Sequence, residues 1–435
     1  MALLTTAIER KAPKSEYFLA WLVSLSGGLL FFYEFIQLNI INSISSQLMA
    51  NFHINAGELG RLSSLYFYFN AGLLFVAGNL LDRFATRKLI LMAMTFCTLG
   101  TFGFGLAKTV FFAGLCRALI GLGGSFCFLS GVRLASRWFP PRKMAVVTGL
   151  IVTMAFIGGW VAQTPATLLV TYFGWREMMM LNGCLGVVLI IWIWFVVQDR
   201  PTHHFEKATE EYLQLKQQGL WTSIKMVLSN KQNWLGGLYT CLLNLPIFLL
   251  GAMWGRMYLE QVDGFNAARA SFICSMLFLG SIVGAPLMGF ISDMLQQRRL
   301  PMLVSAILSL LVVLIIIYGQ DLTFIQLSIL FFILGLITCS QVISYPLVAE
   351  HNQGILTGTA VSIVSMICLL GGALGLPFSG WLLDLGWDHK VLNGAPVYSV
   401  QAYHQAMLIM PIAFVIGFVA AYFVKETYCR SQVHS

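Results

Sequence analysis

The sequence predicts an all-α polytopic membrane protein of twelve transmembrane helices, and three observations carry that reading. Only 10% of the 435 residues are charged and 58% are hydrophobic, at a mean hydropathy of +0.79, whereas ordinary soluble chains carry about 25% charged residues. The apolar residues gather into runs long enough to cross a bilayer, and about 20 such residues cross as a helix, which satisfies its own backbone in lipid. One eleven-residue charged loop is written twice, as G-N-L-L-D-R-F-A-T-R-K at 78–88 and G-F-I-S-D-M-L-Q-Q-R-R at 289–299.

In chain order the runs fall at 17–42, 61–81, 89–107, 110–136, 144–170 and 177–197, then 233–257, 270–291, 301–318, 323–348, 355–383 and 402–424. The polar start contains Arg10, Lys11 and Lys14. The run after it is too long for a signal-peptide core and lacks a small-residue cleavage site, so it reads as the first crossing. Basic residues crowd one set of loops, among them Arg87, Lys88, Arg137, Lys143, Arg200, Arg298 and Arg299. The opposite set holds Arg61, Lys108, Arg176, Arg256, Arg269 and Lys390. By the positive-inside rule the crowded side, with both termini, is cytoplasmic. The net charge of +8 is thus a topology signal, and no basic face for nucleic acid is implied.

Two six-helix bundles, 1–197 and 233–435, flank a charged cytoplasmic linker at 198–232. Leu213, Leu220, Trp221, Ile224, Val227 and Leu228 give the linker an amphipathic pattern that suits a helix along the membrane surface; a solvated tether is the alternative. Eight of the nine cysteines fall singly in apolar runs and Cys429 lies in the tail, without C-x-x-C spacing. No disulfide framework, metal site or cofactor is expected. Nucleophile elbow, phosphate loop and H-E-x-x-H are all absent from the sequence, so no enzyme motif is found.

Each copy of the charged loop lies between the second and third run of its half, as duplication of a six-helix unit produces. The first copy resembles the signature loop of the major facilitator superfamily: glycine, three residues, aspartate, arginine, then a basic pair. C-R-A-L-I-G-L-G-G in helix 4 (Arg117, Gly121, Gly123, Gly124) resembles a second family signature. A-S-R-W-F-P-P-R-K and F-G-W-R are similar to segments of bacterial solute permeases. The chain departs from the pattern at Ala85 and Thr86, and at Met294 in the second loop. The resemblance implies two pseudo-symmetric bundles around one central site, rocking alternately, in a monomer of the bacterial inner membrane.

The loops are read as gates. Gly78 and Gly289 lack side chains and permit close helix approach. Asp82 would face the N-terminus of helix 11 near Gly354 to Thr359, where unpaired N–H groups and the helix dipole favour a carboxylate. Asp293 would face the start of helix 5. Arg83, Arg87 and Lys88, with Arg298 and Arg299 in the second copy, would add ion pairs or simply anchor topology.

Charges within apolar runs cost several kcal/mol unless paired or hydrated. Glu34 is the acidic residue well inside a run, and it reads as the proton-coupling residue. Arg117 and Arg133 are candidate solute ligands, because an arginine fork binds a carboxylate bidentately. Arg117 could instead pack helix 4, and Arg133 could snorkel to the interface. The resemblance implies that helices 1, 4, 7 and 10 line the cavity. Gln37, Tyr66, Asn70, Trp160, Gln163, Tyr239, Asn244, Gln341 and Tyr345 complete the candidate solute site. Two arginines against one glutamate suggest a carboxylate-bearing solute: an amino acid, peptide, organic acid or siderophore. Proton symport is the leading reading. An uncoupled uniporter, a drug–proton exporter, a membrane enzyme and a non-transporting sensor are the alternatives. I-G-G-W at 157–160 lacks the proline–glycine element of the family's exporters.

Overall fold

The computed structural model describes residues 14–139, 141–199, 220–353, 356–392 and 394–430, but not the side chains of 14–16, Asn79, Asp82, Arg83, 141–142, Ala145 and 220–224. Numbered by the expected span each occupies, helix 1 is Lys14–Phe52, helix 2 Ala56–Arg83 and helix 3 Thr86–Leu106. Helix 4 is Val110–Gly124 continued by Cys127–Trp138, helix 5 Pro141–Val161 continued by Thr164–Phe173, and helix 6 Trp175–Val196. In the second half, helix 7 is Lys231–Leu243, a π-helical stretch Ile247–Trp254, then Gly255–Gln261. Helix 8 is Ala267–Leu295 and helix 9 Arg299–Tyr318. Helix 10 is Phe324–Thr338, a 3₁₀ turn Cys339–Ile343, then Ser344–Glu350. Helix 11 is Thr357–Leu385, and helix 12 is Val400–Met407 with Ile409–Phe423. Among the described residues, 11 helices are long and apolar enough to cross a membrane. Helix 2, at 28 residues, packs among them.

Three of the breaks lie beside prolines. A proline lacks an N–H and disfavours helical geometry in the residue before it. Pro165 follows the break at Ala162–Gln163, where Gln163 leaves helical backbone geometry. Pro246 precedes the π-helical stretch, and Pro346 follows the 3₁₀ turn. Such breaks persist within a membrane only where neighbouring groups re-satisfy the backbone. Helix 1 runs past its expected end at 42 because Asn42, Ser43 and Ser45 are buried. Their polarity serves contacts between helices rather than exit from the bilayer.

Each half carries the same internal fastening. Asp199, three residues past the end of helix 6, accepts the backbone N–H of Arg87 at the start of helix 3 (3.0 Å) and an Arg137 side-chain bond (3.3 Å). Glu426, three residues past the end of helix 12, accepts the N–H groups of Arg298 (2.9 Å) and Arg299 (2.8 Å) at the start of helix 9. Burial pushes the Glu426 carboxyl up, and four backbone N–H donors more than offset it, so it sits below the ordinary carboxylate range. The fastening therefore contributes fully at neutral pH and is lost as pH falls through that lowered value.

The linker carries a helix at Leu220–Ser229, and Val227 is buried in a cluster with Val348, Leu356 and Ala360. That end of the linker is packed rather than a free tether; Leu213 lies outside the described residues. All nine cysteines are free.

Helices 2 and 11 run antiparallel as the most extensive pairing between the halves. A Cβ placed on Gly60 would lie 2.6 Å from the Leu376 carbonyl, so only glycine allows the crossing there. At Gly78 and at Gly358, by contrast, a Cβ would meet nothing within 4 Å. The pair is tight at the face opposite the termini and parted at the face that bears them. Gly60→Leu should therefore cost about 1–3 kcal/mol through overpacking, read as a lower Tm in detergent, whereas Gly78→Ala should leave the Tm in place.

Candidate functional site

Helix 1 presents Glu34 and, one turn on, Gln37 to the interior of the first half. Glu34 is 3% exposed, Gln37 fully buried and Arg117 1% exposed. The Arg117 guanidinium donates to the Gln37 carbonyl (2.7 Å) and lies over the Tyr66 ring at 5.1 Å. Tyr66 in turn accepts a bond from Asn70 (3.0 Å), its helical neighbour four residues on. Glu34 and Arg117 form no direct ion pair: Arg117 bonds the Gln37 carbonyl instead. Glu34 Oε2, both side-chain polar atoms of Gln37, and Nε and Nη2 of Arg117 have no hydrogen-bond partner among the described residues. Acid, amide and base thus gather with spare donors and acceptors inside one bundle, among helices 1 to 4. Expected to face water between the halves, they are instead sealed from the surface in this state, because helices 1 and 4 turn these side chains toward each other.

A different set of residues joins the halves. Asn42 on helix 1 donates to Gln163 (2.7 Å), and Gln163 donates to the Gly251 carbonyl of helix 7 (2.8 Å). The Arg256 N–H donates to Asn42 (3.0 Å). The Arg256 guanidinium donates to the Ser43 carbonyl and to Ser46 (3.3 Å), and pairs with Glu260 at 2.7 Å. Thr164 meets Ser275 (2.7 Å) and Thr167 meets Ser271 (2.6 Å) across helices 5 and 8. Gln163 therefore belongs to this seal. It reaches both halves because the Pro165 break releases it from the helical path.

The remaining candidates divide. Tyr239 is fully buried inside the second half, bonded to the Met302 carbonyl (2.9 Å) and Ser340 (2.7 Å), and holds helices 7, 9 and 10 together. Asn244 accepts from Gln341 (2.7 Å) and donates to Cys368. Tyr345 contacts the ring of Phe128 in the other half, 6.3 Å between centroids. Trp160 and Arg133 are half-buried. Near the termini, Arg87 donates to the Trp194 carbonyl and Lys88 is exposed. The side chains of Asp82 and Arg83 lie outside the described residues. Asp293, expected against helix 5, pairs with Arg298 (2.7 Å), which also pairs with Glu350 (2.7 Å). At Gly289, as at Gly78, a Cβ would meet nothing within 4 Å.

Arg256 escaped the sequence reading, which placed it among far-side loop charges. The signal was present: it falls within the seventh apolar run, and Glu260 follows at the spacing of a helical ion pair.

Two helical halves sealed at one face, parted at the other and holding buried charge define a multi-pass membrane protein of the secondary-transporter class. The chain belongs to the Major Facilitator Superfamily, whose sequence profile matches residues 27–270 and 261–432. The "Probable galactarate/D-glucarate transporter" of Bacillus subtilis is 26% identical over 275 residues, covering 53% of this chain and 57% of that protein. The chain thus spans little more than half the length of that relative. The membrane sensor protein UhpC of Escherichia coli is 24% identical over 392 residues, 85% of this chain and 87% of that one. Among solved structures, a bacterial homologue of the human lysosomal transporter Spinster, inward-facing and unoccupied, superposes with a TM-score of 0.74. It is 15% identical, over 94% of this chain and 98% of that one, a likeness of fold.

Arg256→Met should remove the bonds to helix 1 and leave Glu260 without its partner, a loss of about 3 kcal/mol. In a Ser46→Cys background, labelling by a membrane-impermeant maleimide should then speed up. An unchanged rate would mean that Arg256 does not hold this face shut.

Proposed function

We propose that this protein carries a small carboxylate-bearing solute across the bacterial inner membrane by alternating access, coupled to protons. The reading includes twelve crossings, with helix 2 as the twelfth, and cytoplasmic termini. On that orientation the state described is open to the cytoplasm. The observation that carries the reading is the buried Glu34–Gln37–Arg117 cluster with its unused donors and acceptors. Arg117 offers Nε and Nη2, two parallel donors suited to a carboxylate. The relative named a "Probable galactarate/D-glucarate transporter" supports an organic-acid solute.

The coupling would work by competition. In one state Arg117 stabilises the Glu34 carboxylate. When solute takes Arg117, Glu34 loses that stabilisation and takes a proton; when solute leaves, it gives the proton up. Here the two side chains are already parted, Arg117 being held by the Gln37 carbonyl, so the pairing would belong to another point of the cycle. Asp82 and Asp293, with Gly78, Arg83, Arg87, Lys88, Gly289, Arg298 and Arg299, would form the cytoplasmic gate when that face closes.

UhpC supports a second reading, a sensor on the same scaffold, since it aligns over 85% of this chain. Uptake of labelled galactarate into proteoliposomes under a pH gradient separates the two, with a panel of other carboxylates behind it. Arg117→Lys keeps the charge and loses the fork, so a solute that wild type accumulates should bind at least tenfold more weakly. Equal binding would refute the carboxylate contact. Glu34→Gln should abolish accumulation driven by the pH gradient and spare counterflow exchange, which needs no net proton movement. Undiminished accumulation would exclude Glu34 as the coupling site.

A further inference from the structure

We infer that Asp384 is a releasable latch for the face opposite the termini, the counterpart at that face of the role proposed for Asp82. This rests on the alternating-access reading. Asp384 is the penultimate residue of helix 11, and its carboxylate reaches across to the other half. There it accepts the N–H of Ala56 (3.1 Å) and of Gly57 (2.8 Å), the first two residues of helix 2, and the hydroxyl of Tyr398 (3.0 Å).

The donors at this helix start are fully apportioned. The first N–H groups of a helix have no partner within it and carry its positive end. Helix 2 caps itself with a capping box: Asn55 accepts from the Glu58 N–H, and Glu58 accepts from the Asn55 N–H. That box leaves the Ala56 and Gly57 donors unused, and both go to Asp384. The Ala56 N–H also reaches the Tyr398 hydroxyl (2.8 Å). Gly57 makes room for this contact, since a Cβ there would lie 2.6 Å from Asp384 Oδ2.

The geometry suits a contact that must come undone. Both partners are helix ends, and Asp384 is only half-buried. When the halves part at this face, the carboxylate and the two N–H groups pass to water, and nothing polar is stranded. The antiparallel pairing then repeats the device at its other end. Asp82 is the penultimate residue of helix 2, and the start of helix 11 at Thr357 lies at the same end of the pair. Each helix would end in an aspartate placed for the first turn of the other, with one contact engaged in each state.

Double electron–electron resonance in solute-free nanodiscs tests this, with spin labels at Lys108 and Asp321 for the far face and at Val146 and Leu300 for the near one. Asp384→Asn should raise the ratio of far-open to far-closed populations about tenfold. Gly57→Ala, which displaces the carboxylate without removing its charge, should shift the same ratio in the same direction, and it decides the matter if Asp384→Asn fails to reach the membrane. A far-face distribution unchanged in these variants would overturn the latch. Asp82→Asn is measured alongside and should shift the equilibrium the opposite way. Its failure to do so would remove the cytoplasmic gate and leave the Asp384 latch standing. With no solute present, the outcome does not depend on which solute is carried.

Discussion

The antiparallel crossing of helices 2 and 11 is the constraint around which the rest of the molecule is arranged. It lets the halves meet backbone to backbone at Gly60 and fall apart by Gly78 and Gly358. A pair tight at one end and parted at the other acts as a hinge whose open mouth is set by which end is fastened. The polar contacts follow from that geometry. Asn42, Gln163, Arg256 and the serine–threonine pairs of helices 5 and 8 all belong to the sealed end. In lipid, unmatched polar groups are costly, and a seal made of short hydroxyls, amides and helix termini can exchange its partners for water as the halves part.

The buried cluster of the first half obeys different rules. Glu34 and Arg117 are buried within a bundle, and neither is fully matched by the residues around it. Buried ionisable groups with spare hydrogen-bonding capacity are rarely kept for stability alone, since replacing them with packed apolar side chains is often neutral or stabilising. That is the physical ground on which the proposed coupling role rests. Tyr239 in the second half makes the contrast plain: its hydroxyl is satisfied twice and it serves packing.

Depth in the membrane was legible in the sequence, and direction around each helix was not. Run lengths located the helices, and their breaks at Gln163, Asn244 and Gln341 went unread although a proline lies within a few residues of each. The duplicated loop is the sequence's own argument for two halves. Helix 1 was cut short because Asn42 and Ser43 look like an exit to water, and only the facing helix shows them to be a contact. Arg256 was counted with loop charges for the same reason: hydropathy records how polar a residue is, not what it meets. Asp384 could not be singled out at all. Its importance lies in an alignment of two helix ends more than 300 residues apart.

The acids that follow helices 6 and 12 bear on how the chain is made. Asp199 closes the start of helix 3, and Glu426 closes the start of helix 9. During synthesis each third helix enters the bilayer long before its acid leaves the ribosome. Every half therefore completes itself only with its own last residues, and the first can be finished while the second is still being translated. The fastening of the first half thus draws on no residue of the second.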